Sequence, residues 1–296
     1  MEFYVDEYPD SFISIKIIGI GASGESASNY FSGVGNELFP ERLIVSDKDD
    51  IADLQVKIAD VDWLFMITDV EDLELAEKVD KIIEKTKTSL GYQFPLITFL
   101  ILCSSADDVR LADIPDSFGT WIVLPEDKVA ETGLTSNELI YRTINVTVSM
   151  HVKGKFNPLN HSEINYVFGM DIVDFIETIG NFGRACIGFG ESFNSPLDAV
   201  KNALQSPLFI EDIGKAKKVL LIFVVRRELY ESKFINMMEM YEAANFLYGL
   251  FNPDPEDVLG LLFQTIIDEN FSEGVTAFVL ATNFDFRNGG RNNGSL

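Results

Sequence analysis

The sequence predicts an α/β fold: a doubly wound, mainly parallel sheet in the N-terminal part, a long central helix, and an α+β C-terminal part. Three observations lead there. Five short apolar segments punctuate the first half, at 13–20, 42–46, 61–68, 96–103 and 120–125, and the middle ones are too continuously apolar for half-exposed strands; such runs suit parallel strands covered on both faces. Between the third and fourth, residues 72–90 place Leu75, Val79, Ile82 and Ile83 at helical spacing with Glu and Lys elsewhere, the pattern of an amphipathic crossover helix. The alternation of strand and helix then makes residues 1–134 a doubly wound, Rossmann-like domain.

The remaining elements follow in order. Thr135 and Glu138 have the spacing of a capping box, and the apolar-rich segment 136–153 runs on to Gly154, so residues 135–154 form one central helix. After a polar stretch at 155–163, the spacing predicts a helix at 171–182, a strand at 185–188, a helix at 196–205 and a strand at 218–225. A longer helix at 232–248 and strands at 260–269 and 274–282 complete a C-terminal domain at 155–285, with a short flexible tail at 286–296.

The 296 residues carry 23 Lys plus Arg against 47 Asp plus Glu, a formal net charge of −24, and are 47% hydrophobic. That apolar fraction suffices for two packed cores and excludes a disordered or fibrous chain. So acidic a surface repels phosphate backbones and anionic lipid, so nucleic acid is not an expected partner. Two cysteines (Cys103, Cys186) and two histidines (His151, His161) provide neither a disulfide framework nor a Cys/His zinc cage, and no metal site is expected. The longest apolar run, 94–103, is too short to span a bilayer, and Met1–Asp10 is acidic where a signal peptide needs basic residues. A cytoplasmic protein without direct membrane insertion is expected.

The sharpest local motif is Gly19-Ile20-Gly21-Ala22-Ser23-Gly24, a G-x-G-x-x-G run leaving a predicted strand and opening a predicted helix. Glycines there let backbone amides approach a phosphate at a helix N-terminus. Asp47, 23 residues past Gly24, sits where a dinucleotide-binding fold holds its ribose-binding acid. The same glycines also permit tight strand–helix packing, and Glu25 beside the loop disfavours an anion.

Other stretches resemble FtsZ, the bacterial and archaeal relative of tubulin. Residues 15–21 (IKIIGIG) look like its first strand and first phosphate loop, and 124–129 (LPEDKV) resemble its I-P-N-D-K-L segment. The stretches 187–191 (IGFGE), 199–208 (AVKNALQSPL) and 266–284 (IIDENFSEGVTAFVLATNF) are similar, in order and spacing, to its C-terminal domain. The resemblance covers about 15–284 and implies a GTPase-type domain, a central helix and a C-terminal activation domain.

Against that pattern the pocket is altered. FtsZ places a second glycine-rich loop, G-G-G-T-G-T-G, directly after its strand resembling 62–68; here that place reads Asp69-Val70-Glu71-Asp72-Leu73-Glu74. Four carboxylates at a helix N-terminus satisfy its dipole and orphan amides internally and repel a triphosphate, at about 4 kcal/mol per like-charge contact near 4 Å before salt screening. The stretch between Asp47 and Asp62 reads as too short for the family's intervening helix and third phosphate loop, and 104–118 as too short for its ribose-contacting loop. Glu126 replaces the asparagine of the LPEDKV-like segment. Asn137 matches a guanine-contacting position and is equally a polar residue near a helix start.

The family's motif of one asparagine and two aspartates, which completes the active site of the neighbouring subunit, resembles residues 169–174, placing Asp171 and Asp174 on its two aspartates and Gly169 on its asparagine. Three residues apart, the pair shares one face of a first helical turn and is placed to act in trans; it also serves as an N-cap and N3 pair. Cys103 and Cys186 read as inert core thiols, and Met237, Met238, Met240 and Phe246 as core or contact surface. With His151 and His161 no hydrolytic triad forms.

The expectation is a divergent FtsZ/tubulin-like subunit of cytoskeletal or cell-division character: a structural or regulatory filament partner with no GTPase activity alone and no or weak GTP/GDP binding. It associates head to tail with itself or with FtsZ/tubulin-like subunits. The residues left for nucleotide are Gly19, Gly21, Ala22, Ser23, Gly24 and Asn137. Alternatives are an FtsZ-like GTPase that polymerises on Gly21, Ser23 and Gly24, a dinucleotide-dependent oxidoreductase built on the same loop and Asp47, and self-assembly without nucleotide.

Overall fold

A computed structural model describes residues 15–33, 42–45, 51–58, 63–90, 97–104, 118–149, 165–166, 183–232, 235–251, 260–268 and 274–282. The first half is built on β1 (Ile15–Ile20), β2 (Arg42–Val45), β3 (Trp63–Asp69), β4 (Ile97–Ser104) and β5 (Thr120–Pro125). These pair in parallel in the order β2-β1-β3-β4-β5. Residues of β1 alternate between two cores. Ile15 and Ile17 join Ala27 and Phe31 of helix α1 (Gly21–Gly33) with Leu139, Ile140 and Ile144 of helix α5 (Ser136–Ser149). Ile18 and Ile20 point to the other face, against Leu54 of α2 (Ile51–Ile58) and Ala76, Val79 and Ile83 of α3 (Leu73–Leu90). Burial on both faces explains why these strands read as continuous apolar runs.

The sheet continues past β5 into a mixed half. β7 (Gly183–Ser192) pairs in parallel with β5 over the short register 120–122 to 183–185. Beyond it lie β10 (Val275–Thr282), β8 (Lys218–Arg226), β9 (Leu261–Asp268) and β6 (Asn165–Tyr166), ten strands among the described residues. β10 is antiparallel to both β7 and β8, β8 runs parallel to β9, and β6 is antiparallel to β9. One face is covered by α6 (Pro196–Leu204) and α8 (Met237–Tyr248), through Ala199, Val200 and Ala203 and through Met240, Ala243 and Leu247. The other face, with Ile187, Ile222 and Phe278, joins the core under α5.

The capping box predicted for α5 forms. Oε2 of Glu138 accepts the Thr135 amide at 2.9 Å, and Oγ1 of Thr135 accepts the Glu138 amide at 3.2 Å. Residues 150–153 of the predicted central helix, the predicted helix at 171–182 and the tail at 286–296 lie outside the described residues.

Three expectations are corrected. The stretch between β2 and β3 holds a helix, α2, where none was expected; Ile51, Leu54 and Ile58 recur at helical spacing within its eight residues. The strand predicted at 185–188 extends over 183–192. The helix predicted from 232 begins at Met237, because Asn236 caps it with a full capping box, and it is preceded by α7 (Arg227–Glu231). The LPEDKV-like segment ends β5 and opens a short helix, α4 (Glu126–Glu131). Met240 is fully buried, Met237 and Phe246 pack against the same core, and Met238 is exposed.

Candidate functional site

In an open parallel sheet, ligands bind beyond the carboxyl ends of the strands where successive helices leave on opposite faces. Here that crevice lies between β1 and β3, since α1 covers one face and α3 the other. Gly19 is in register with Ile67, so two residues onward Gly21 and Asp69 face each other across it.

Gly21 opens α1 with φ +71°, a left-handed conformation that suits glycine. A methyl group added there would collide with the carboxylate of Asp72. Two residues further, the backbone amide of Ser23 donates to Oδ2 of Asp69 at 2.9 Å. An amide of the first helical turn is one of the orphan donors with which a helix N-terminus holds an anion. In this chain the anion is its own aspartate.

Gly24 has a different task. A Cβ on it would run into the carbonyl oxygen of Ile67 and come within 2.8 Å of Gly19 Cα, and a Cβ on Gly19 would strike Gly24 in turn. The two glycines therefore seat α1 directly on β1 and β3, as the packing reading of the motif requires. Ala22 is exposed and Ser23 half-buried at the crevice.

Cys103 stands beside Asp69 in register and is 5% exposed. Burial pushes its thiol up to about 12, with the Asp69 charge adding to the rise and a hydrogen bond from Ser23 opposing it. Glu126, at the end of β5, adds a further carboxylate to the same field. The other acids of the loop are Glu71, exposed, and Glu74, which pairs with Lys78 at 3.1 Å.

The expectation that the acids of 69–74 satisfy their own helix is corrected at Asp69. It makes no side-chain cap to the 3₁₀ turn Val70–Asp72 that follows it and serves α1 instead. Its position opposite Gly21 decides this, a relationship carried by strand register rather than by local sequence.

Asn137, half-buried in the first turn of α5, donates from Nδ2 to Oγ of Ser26 at 3.0 Å, tying α5 to α1. Asp47, Asp171 and Asp174 lie outside the described residues, as do the stretches 59–62 and 105–117. The structure thus brings together Gly19, Gly21, Ala22, Ser23 and Gly24, adds Asp69 and Asp72, and ties Asn137 to the same helix. Among the described residues no group of His, Cys, Asp or Glu could hold a metal ion, and no helix is long and apolar enough to cross a membrane.

Among the described residues, the Ser23 amide is bonded to the Asp69 carboxylate and the Asp72 carboxylate lies against Gly21, so the loop faces negative charge.

Comparison with known proteins places this architecture. No family model matches the chain. A segment of 115 residues is 34% identical to cell division protein FtsZ 2 of Thermococcus kodakarensis; the match spans 38% of this chain and only 25% of that relative's length. Among solved structures, an empty FtsZ dimer of M. jannaschii superposes with a TM-score of 0.69 at 17% identity, covering 93% of this chain and 89% of the other. CetZ2 from Haloferax volcanii, in a GTPγS-bound protofilament, superposes with a TM-score of 0.60 at 13% identity over 91% and 92% of the two chains. TubZ of Bacillus thuringiensis serovar israelensis, in GDP-form protofilaments, gives 0.60 at 12% identity over 92% and 84%. The chain has the FtsZ/tubulin fold.

Proposed function

We propose that this chain belongs to the FtsZ/tubulin superfamily and acts as a structural or regulatory partner in filaments of that kind, without holding GTP in its own phosphate crevice. In this reading residues 1–134 are a degenerate nucleotide domain, 135–154 the central helix and 155–285 the activation domain, and subunits associate head to tail. The observation that carries it is the bond from the Ser23 amide to Asp69, which puts a carboxylate where a phosphate would need to sit. The likeness to FtsZ, CetZ2 and TubZ, two of them solved as protofilaments, supports the filament part of the reading.

Such a subunit is asymmetric. By the resemblance of their segment to the family's motif, Asp171 and Asp174 would offer a carboxylate pair to a neighbour's nucleotide and orient the attacking water. The crevice at Asp69 and Asp72 hosts no nucleotide in this reading, so a competent subunit docked there meets an interface that does not turn over. A subunit of this kind caps or modulates a filament.

Co-sedimentation with a nucleotide-competent FtsZ in GTP and magnesium tests the reading. The expected result is that this chain pellets with the polymer and changes its mass, length or GTP turnover, and that Asp171→Asn with Asp174→Asn abolishes the effect on turnover. No binding and no change in polymer would overturn it. Filaments formed by this chain alone, indifferent to GTP, would show instead that it partners itself.

A further inference from the structure

We infer that Asp69 is a resident anion of the α1 N-terminus, a built-in substitute for a bound phosphate that keeps the first loop in its closed form without a ligand. The inference deepens the functional reading above and rests on it.

Two contacts carry it. The Asp69 carboxylate, at the end of β3, takes the Ser23 amide of α1 at 2.9 Å across 46 residues of sequence. The Asp72 carboxylate closes over Gly21, whose positive φ makes the turn into α1. A helix N-terminus without an anion leaves orphan donors and an uncompensated dipole. A fold that relies on an external phosphate there is loose until the phosphate arrives; one that supplies its own carboxylate is set at all times. Asp69 is no accidental neighbour, since its side chain leaves the 3₁₀ turn it precedes without a side-chain cap in order to reach α1. Asp69 thereby makes the conformation of this end of the subunit independent of nucleotide and competes with any phosphate offered from outside.

The test is thermal unfolding of the full chain and three variants, Asp69→Ala, Asp69→Asn and Glu71→Ala, with and without millimolar inorganic pyrophosphate at matched ionic strength. Glu71→Ala removes the same charge two residues away at an exposed side chain. The expected result is that Asp69→Ala lowers Tm by about 2–6 °C, that Glu71→Ala stays within about 1 °C of the parent, and that pyrophosphate raises Tm for the Asp69 variants but not for the parent or Glu71→Ala. Should Asp69→Ala fail to fold, the isosteric Asp69→Asn decides, with a lowered Tm and a pyrophosphate response expected. Parent-like Tm in the Asp69 variants, or an equal pyrophosphate shift in all chains, would overturn the inference. Stabilisation of the unmutated chain by magnesium GTP would instead overturn the functional reading, so the two failures are told apart.

Discussion

Oδ2 of Asp69 accepts the backbone amide of Ser23 at 2.9 Å, joining the end of β3 to the first turn of α1. Gly21, two residues before Ser23, has φ +71°, and a Cβ added to it would meet the Asp72 carboxylate. Gly21→Ala should therefore destabilise the chain by about 1–2 kcal/mol for the left-handed backbone, with the Asp72 carboxylate displaced from the turn. Urea unfolding measures it; a midpoint unchanged from the parent would mean that the loop is not held as described.

Arg184 and Glu211 form a salt bridge at 2.8 Å with side chains only 7% and 17% exposed, and the Arg184 guanidinium lies 6.0 Å from the ring of Trp121. Trp121 and Arg184 are register partners in the short β5–β7 seam that joins the two halves of the sheet. Arg184→Met strands a largely buried carboxylate at that seam and should cost about 3 kcal/mol or more. The loss should persist in 0.5 M NaCl, because a buried pair is little screened. A cost that vanishes in salt would show a surface pair instead.

Hydrogen bonds from the backbone and side chain of Thr135 hold the Glu138 carboxyl below its ordinary value of 4.5. The folded pKa is the lower one, so the contribution of Glu138 is present above the unfolded value and is lost as pH falls through the folded one. The stability difference between the parent and Glu138→Gln should accordingly shrink between neutral pH and about pH 3. Thermal melts across that range check the sign, and a difference that grows on acidification would contradict the capping box.

Burial pushes the thiols of Cys103 and Cys186 up to about 12 from 9.0, helped at Cys103 by the charge of Asp69. Thiolate is the reactive form, so neither cysteine should take up an alkylating reagent at pH 8 in the native chain, and both should do so in urea. The raised pKa also means that their contribution to stability is complete below about pH 9 and declines toward 12. Stoichiometric labelling of the folded protein would contradict the packing of β4 or β7.

Sequence legibility followed the range of the interactions. Strands β1, β3, β4 and β5 were readable because both faces are covered and the apolar runs are unbroken. α5 was readable because its cap is local, with Thr135 and Glu138 three residues apart. α2 was missed although Ile51, Leu54 and Ile58 carry the helical spacing, since an eight-residue helix gives barely two turns of pattern. At the crevice, the motif from Gly19 to Gly24 announced a tight turn, and the choice between packing and phosphate depended on what faces it. What faces it is Asp69, which only the alignment of β3 beside β1 brings to Ser23.

Isothermal titration of the purified chain with GTP and GDP in magnesium asks whether the Ser23–Asp69 bond leaves room for phosphate. No saturable heat is expected at nucleotide concentrations up to the millimolar range. Binding at micromolar concentration would contradict that expectation and make the chain a nucleotide-holding filament subunit in its own right.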